Sequence, residues 1–225
     1  FWYGCPHCYH FEPTINPWVD KLPKDVNFKR VPAMFGGPWD AHGQMFLTLE
    51  AMGVEHKVHA AVFDAILNQH KRLTDPNDMA DFLATQGVDK DKFLATFNSF
   101  AIKGQVNQAK ELAKKYEISG VPSMVVNGKY RFDLGTAGGP EGVLNVADQL
   151  IDKERAAKYA ANPMRRLRNE RGIGLHQPQV NEHHLQAPGL PEDGRLRLLS
   201  FNIQVGISTE RYRHYLTRSW QHLLP

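Results

Sequence analysis

Phe1-Trp2-Tyr3-Gly4-Cys5-Pro6-His7-Cys8-Tyr9-His10-Phe11-Glu12 opens the chain, and its reading decides the fold. The aromatic start reads as the end of a strand. Helical character follows the cysteines to about Trp18, with Pro13 and Pro17 as places where it can break. A Cys-x-x-Cys at the start of a helix sets its first sulfur among backbone N–H groups that have no partner within the helix, where the helix dipole favours negative charge. Cys5 is therefore expected to ionise more readily than a free cysteine. Pro6 suits the first helical turn, where no N–H is needed. His7 brings a donor or a positive charge close to the Cys5 sulfur. Cys8, one turn further in, is expected to be the more buried, resolving thiol. A stabilised thiolate favours the reduced pair, so the disulfide form is expected to act as an oxidant.

The chain contains 2 cysteines in 225 residues, which excludes a scaffold stapled by many disulfides. Two other uses of the pair fit its spacing less well. A structural bridge closing so short a loop removes little chain entropy and makes a weak staple. A zinc site built from Cys5, Cys8 and two of His7, His10 or a distant His would need a second ligand pair at suitable spacing, and no second Cys-x-x-Cys or His-x-x-x-His occurs. No metal and no cofactor is expected.

The remaining composition describes a globular chain of one or two domains, 42% hydrophobic and 23% charged. No apolar run approaches the roughly 20 residues that span a bilayer. The net charge of +3 is unevenly placed. From Tyr159 onward there are nine arginines, five acidic residues and no lysine, which leaves about −1 for residues 1–158. A near-neutral first part gives no reason to expect nucleic-acid binding. The basic stretch reads as a solvated linker.

Beyond the first helix, Asp25–Pro32 reads as a short strand and Gly36-Gly37-Pro38 as a turn. Apolar residues then recur at three- and four-residue spacing over His42–Met52, Val58–Leu67, Asp78–Leu83, Lys90–Phe100 and Gln105–Tyr116, which predicts a helical block over about 40–118. Ser123–Val126 and Lys129–Phe132 flank Asn127-Gly128, a strong two-residue hairpin signal. A helix is expected from about Glu141 to Lys158. Residues 159–195 lack apolar periodicity and read as a linker within a mostly disordered tail. Arg195–Val205 reads as a new strand, and Tyr212–Leu224 as the start of a helix. Directly before the hairpin stands Gly120-Val121-Pro122, which on its own residues would be an ordinary trans turn.

The stretch Phe1 to Glu12, with Pro6-His7 between the cysteines, resembles the active site of the DsbA family of Gram-negative bacteria. Gly120-Val121-Pro122-Ser123-Met124-Val125-Val126-Asn127-Gly128-Lys129-Tyr130 resembles that family's cis-proline loop and hairpin. The resemblance covers about residues 1–158. It implies an α/β thioredoxin fold with an inserted helical subdomain and a cis Val121–Pro122 bond beside the cysteines. It also implies that Gly120, Val121 and Pro122 form the groove where substrate backbone docks. The implied activity is a protein disulfide oxidoreductase that oxidises reduced, unfolded secreted proteins in the periplasm as a monomer and is recharged by a DsbB-like membrane protein. Measured against the family pattern, the strands that precede the cysteines are truncated, a buried acidic residue often carried there is missing, and the chain reads as a fragment or a processed product.

The last 30 residues carry a second resemblance. Leu196-Arg197-Leu198-Leu199-Ser200-Phe201-Asn202-Ile203-Gln204 resembles the first strand of the endonuclease/exonuclease/phosphatase family, with Asn202 at the place of an asparagine near the metal centre. Residues 196–225 are accordingly expected to be the first strand and helix of such a domain, joined to the first unit by fusion of two reading frames. Rival functions are a thioredoxin-like reductase or isomerase, a non-catalytic peptide-binding module at Pro122, and a metal-dependent phosphodiesterase, whose later ligands this chain lacks.

Overall fold

A computed structural model describes residues 1–161 and the backbone of two further strands. Its elements are α1 (Pro6–Asp20), β1 (Val26–Asn27), α2 (Pro38–Ala51), α3 (Glu55–Leu67), α4 (Pro76–Thr85), α5 (Lys90–Phe97), α6 (Phe100–Lys115), β2 (Ser123–Val126), β3 (Tyr130–Asp133), α7 (Leu134–Ala137), α8 (Pro140–Ala160), β4 (Leu196–Leu199) and β5 (Ile203–Gly206). The expected α/β frame with a helical insertion is present, the insertion being α2–α6.

Two cores follow from the apolar patterning. Phe11 and Ile15 of α1 meet Met124, Val126 and Phe132 of the hairpin and Val143, Leu144, Ala147 and Ile151 of α8. The second core joins the aromatic start of the chain to the insertion: Phe1 and Tyr3 pack with Phe46, Phe63, Met45 and Leu49. The Phe1 ring lies 4.9 Å from that of Phe46, edge on, and Tyr3 lies 4.9 Å from Phe63. Cys5 and Cys8 belong to this second core.

Four expectations about local structure need correction. Helix α1 does not break at Pro13 or Pro17. Both prolines are exposed and four residues apart, so the hydrogen bonds they forfeit lie on the face where water can replace them. The strand expected over Asp25–Pro32 is reduced to Val26–Asn27 and an isolated bridge at Arg30, and the residues beyond it join the aromatic start: Ala33 donates to the Phe1 carbonyl at 2.8 Å. The helix expected over Lys90–Phe100 is two helices. Ser99 caps α6 by accepting from the Ile102 N–H at 3.3 Å, as a serine at a helix start does. The single strand expected over Arg195–Val205 is the antiparallel pair β4 and β5.

The sheet order is β1-β4-β5-β2-β3. Strand β4 runs parallel to β1, with Val26 opposite Leu196, and β5 runs parallel to β2, with Met124 opposite Ile203. These two strands therefore belong to the sheet of the first unit, which the reading of the tail did not anticipate. The linker expected over 159–195 starts inside helix α8, which runs on to Ala160; the rest of that stretch from 162, the helix from Tyr212 and the position of Asn202 lie outside the described residues.

The hairpin formed as its sequence indicated. Val126 pairs with Tyr130 across Asn127 and Gly128, whose φ values of 53° and 65° suit a tight turn matched to strand twist. Helix α8 secures it through Glu154, only 4% exposed. The Asn127 amide and Lys129 Nζ (2.7 Å) donate to Glu154 Oε2, and the Tyr130 hydroxyl donates to Oε1 at 3.2 Å. Burial pushes this carboxyl's pKa up, but the donors outweigh it and hold the group ionised below its ordinary range. Glu154→Ala is expected to cost about 2–3 kcal/mol by stranding the buried Asn127 amide. Urea unfolding measures this, and an unchanged midpoint would contradict it.

Candidate active site at the start of helix α1

Cys5 is the N-cap of α1, with extended backbone (φ −96°, ψ 113°) and Pro6 next to it in the first turn. Its sulfur accepts from the Cys8 N–H at 3.4 Å. The two thiols are unbridged and differ in exposure: Cys5 is 7% accessible and Cys8 1%. The Cys5 thiol's pKa is pulled from 9 to about 6. The leading cause is the hydrogen bond from the Cys8 thiol; burial opposes it, and the backbone N–H groups of Cys8 and His7 and the charge of His7 add to it. Burial pushes the Cys8 thiol far up, and its role as donor to Cys5 pushes the same way. The pair thus divides into one sulfur that ionises near neutrality and one that stays protonated.

The second part of the site faces that sulfur. The Val121–Pro122 bond is cis, and the Cys5 thiol points at the Val121 carbonyl across 3.7 Å. The Ser123 hydroxyl donates to the Gly120 carbonyl at 2.7 Å and pins the loop. A side chain at Gly120 would project into open space, so the approach to this loop is clear. The structure therefore brings together Cys5, Pro6, His7, Cys8, Val121 and Pro122, which lie at opposite ends of the helical insertion.

The aromatic segment before the cysteines is fixed from two sides. Trp2 folds over Gly4, where a Cβ would sit 2.3 Å from the indole, so a residue without a side chain is required. The indole stacks on Trp39 at 4.1 Å and donates to His42 Nδ1 at 3.0 Å. An indole N–H only donates, so Nδ1 accepts, Nε2 carries the hydrogen, and it donates to the Arg72 carbonyl 2.7 Å away. Burial lowers the pKa of His42 and favours this neutral form.

Sequence reasoning missed a polar cluster beneath the cysteines. The Tyr3 hydroxyl lies 2.8 Å from His59 Nδ1. His59 Nε2 lies 3.4 Å from Glu12 Oε1 without the alignment of a hydrogen bond, and Arg30 donates to Glu12 Oε2 at 3.0 Å. Burial raises the Glu12 pKa, yet His59 and the Arg30 guanidinium bring it below its ordinary value overall. Glu12 follows Cys8 by four residues and so shares its face of α1. His59 sits on the otherwise apolar face of α3. Those two placements were the available signals.

Comparison with known proteins adds relatives to this geometry. The DSBA-like thioredoxin domain family matches residues 39–150. A thiol:disulfide interchange protein DsbA of Pseudomonas syringae is 78% identical over 161 residues, covering 72% of this chain and 75% of that protein. The protein of the same name from Pseudomonas aeruginosa is 70% identical over 157 residues, covering 70% of this chain and 74% of that protein. Among solved structures, Pseudomonas aeruginosa DsbA superposes with a TM-score of 0.69 at 69% identity, over 71% of this chain and 83% of that one. Reduced DsbA1 of Neisseria meningitidis gives 0.63 at 26% identity, over 72% and 84%.

Proposed function

This chain belongs to the DsbA family of thiol:disulfide interchange proteins, a family of thiol:disulfide oxidoreductases on a thioredoxin fold, and from that premise we propose that Cys5 is the exchanging sulfur and Cys8 the resolving one. The observation that carries the assignment is the placement of Cys5 at the mouth of α1, with the Cys8 N–H at 3.4 Å and the Val121 carbonyl at 3.7 Å. A substrate thiolate attacks Cys5 Sγ of the Cys5–Cys8 disulfide. The bond to Cys8 breaks, and Cys8 leaves as a thiolate that takes up a proton, as its burial favours. The substrate's second thiolate then attacks the substrate sulfur of the mixed disulfide and expels Cys5, which leaves readily because it is stable as an anion near neutral pH. Two electrons have passed from the substrate dithiol to the pair.

His7 lends positive charge to the Cys5 thiolate, Pro6 sets the first turn, and Gly120, Val121 and Pro122 hold the substrate backbone. The substrates are reduced, unfolded secreted proteins, and the compartment is the periplasm, where disulfides persist. A DsbB-like membrane protein withdraws the electrons, and the protein works as a monomer.

The Cys8→Ser variant isolates the first half-reaction. Charged at Cys5 with a small thiol as a mixed disulfide, it is expected to exchange with a peptide containing one cysteine and to stall as a 1:1 adduct, visible by intact mass. Wild type resolves the adduct through Cys8, so the adduct should be about tenfold more abundant in the variant. Equal abundance would remove the resolving role from Cys8. A reductase on the same fold is distinguished by the Cys5–Cys8 potential: the oxidant reading requires a value well above the roughly −270 mV of thioredoxin.

A further inference from the structure

The first half-reaction places negative charge on the Cys8 sulfur, which is 1% exposed and so has little water to receive it. Burial pushes this thiol's pKa up most, and a hydrogen bond from the Trp2 backbone N–H pulls it down. The Trp2 carbonyl accepts from the Cys5 N–H at 3.0 Å, so the backbone of one residue touches both cysteines. A donor aimed at developing charge helps only when it is held in place beforehand. What holds Trp2 therefore bears on the exchange.

Two contacts hold its side chain. The indole stacks on Trp39 at 4.1 Å with the rings 13° apart. Stacked rings slide across one another at little cost, so this contact sets the plane of the indole and not its place within that plane. The hydrogen bond to His42 Nδ1 at 3.0 Å is directional and sets the place. His42 is itself fixed. It is 3% exposed and donates from Nε2 to the Arg72 carbonyl at 2.7 Å, in the segment between α3 and α4. It stands at the head of a buried stretch of α2 that continues with Gly43, Met45, Phe46 and Leu47. Packing alone would be served there by an apolar side chain. A neutral histidine instead presents an acceptor to the indole and a donor to the carbonyl at once.

We propose that His42 is a positioning residue for the exchange: through the Trp2 indole it holds the Trp2 backbone N–H on the Cys8 sulfur, and so speeds the step in which Cys8 departs. The proposal rests on the roles assigned to Cys5 and Cys8 above. When a substrate thiolate bonds to Cys5 Sγ, the Cys5–Cys8 bond breaks and its electron pair passes to Cys8 Sγ, where the Trp2 N–H meets the charge until a proton arrives. In the second half-reaction Cys5 is the leaving group, and His42 has no part in it.

The test times the two steps separately. For the first, the disulfide form is mixed with dithiothreitol, quenched with acid and followed by intact mass. For the second, Cys8→Ser charged at Cys5 with glutathione is mixed with excess glutathione, and loss of the adduct is followed in the same way. His42→Phe is expected to slow the first step about tenfold and to leave the second within about twofold. His42→Gln, which again offers an acceptor and a donor, should recover most of the loss. Trp2→Phe, which keeps a ring against Trp39 but lacks the indole N–H, should slow the first step likewise, and adding it to His42→Phe should change little more. Circular dichroism checks that each variant folds, and Trp2→Phe decides the matter if His42→Phe does not. Equal slowing of both steps, additive effects of the two substitutions, or an unchanged first step in a folded variant would overturn the positioning role alone. A wild-type disulfide that dithiothreitol does not reduce would overturn the exchange reading, and this proposal with it.

Discussion

Replacing Cys5 with serine is expected to lower the rate of oxidation of a reduced two-cysteine peptide by roughly three orders of magnitude or more. The argument is one of bonds. In the proposed mechanism Cys5 Sγ is the atom that the substrate attacks and later leaves, and a serine oxygen forms no exchangeable bond to sulfur. Cys8 does not substitute for it, since it is 1% exposed and burial holds its thiol protonated. The substitution is nearly isosteric and keeps an acceptor at the N-cap, where serine performs well, so the helix should form as before. Lost activity in a protein with unaltered circular dichroism therefore reports chemistry rather than unfolding. A variant retaining more than about a tenth of the wild-type rate would dispose of the mechanism.

The reduced form is expected to gain about 3 kcal/mol of folding stability relative to the disulfide form between pH 6 and about pH 8.5. The Cys5 thiol falls from its ordinary value of 9 to about 6 on folding. A group whose pKa is lower in the folded state stabilises that state in full above its unfolded value and loses the contribution as pH falls through the folded one. Three units correspond to about 4 kcal/mol in full, of which about 3 develops inside this window. Cys8 shifts the other way, but its contribution changes only above pH 9, where the unfolded chain would ionise it. The disulfide form has no ionisable Cys5 and serves as the reference. Urea unfolding of both forms across this range measures the difference. If the difference stayed flat with pH, the Cys8 thiol and the N–H groups at the start of α1 would not be stabilising the anion.

The candidate site was legible because the chemistry proposed for it is local. Cys5, Pro6, His7 and Cys8 occupy four consecutive positions, and helix-start physics acts within one turn. The hairpin was equally plain, since Asn127-Gly128 permits positive φ at both turn positions. The boundary between α5 and α6 was hidden because apolar spacing continues across Asn98-Ser99, and only the Ser99 cap marks it. The meeting of Cys5 with Val121 was not readable from spacing: 116 residues separate them, and the family resemblance supplied the pairing. The cluster of Tyr3, Glu12, Arg30 and His59 was missed for the same reason, as its members come from four separate segments and none is unusual alone. The place of β4 and β5 in the sheet depends on backbone hydrogen bonds to β1 and β2, about which side-chain alternation says nothing.

One consequence follows from the unequal burial of the two sulfurs. On the proposed mechanism all traffic in electrons passes a doorway one atom wide, since the inner sulfur is only 1% exposed. A doorway that narrow cannot tell callers apart by their sulfur, which is the same in each. Discrimination is left to the threshold around it: the indole on one side, the Val121 carbonyl on the other, and whatever part of the visitor reaches past them.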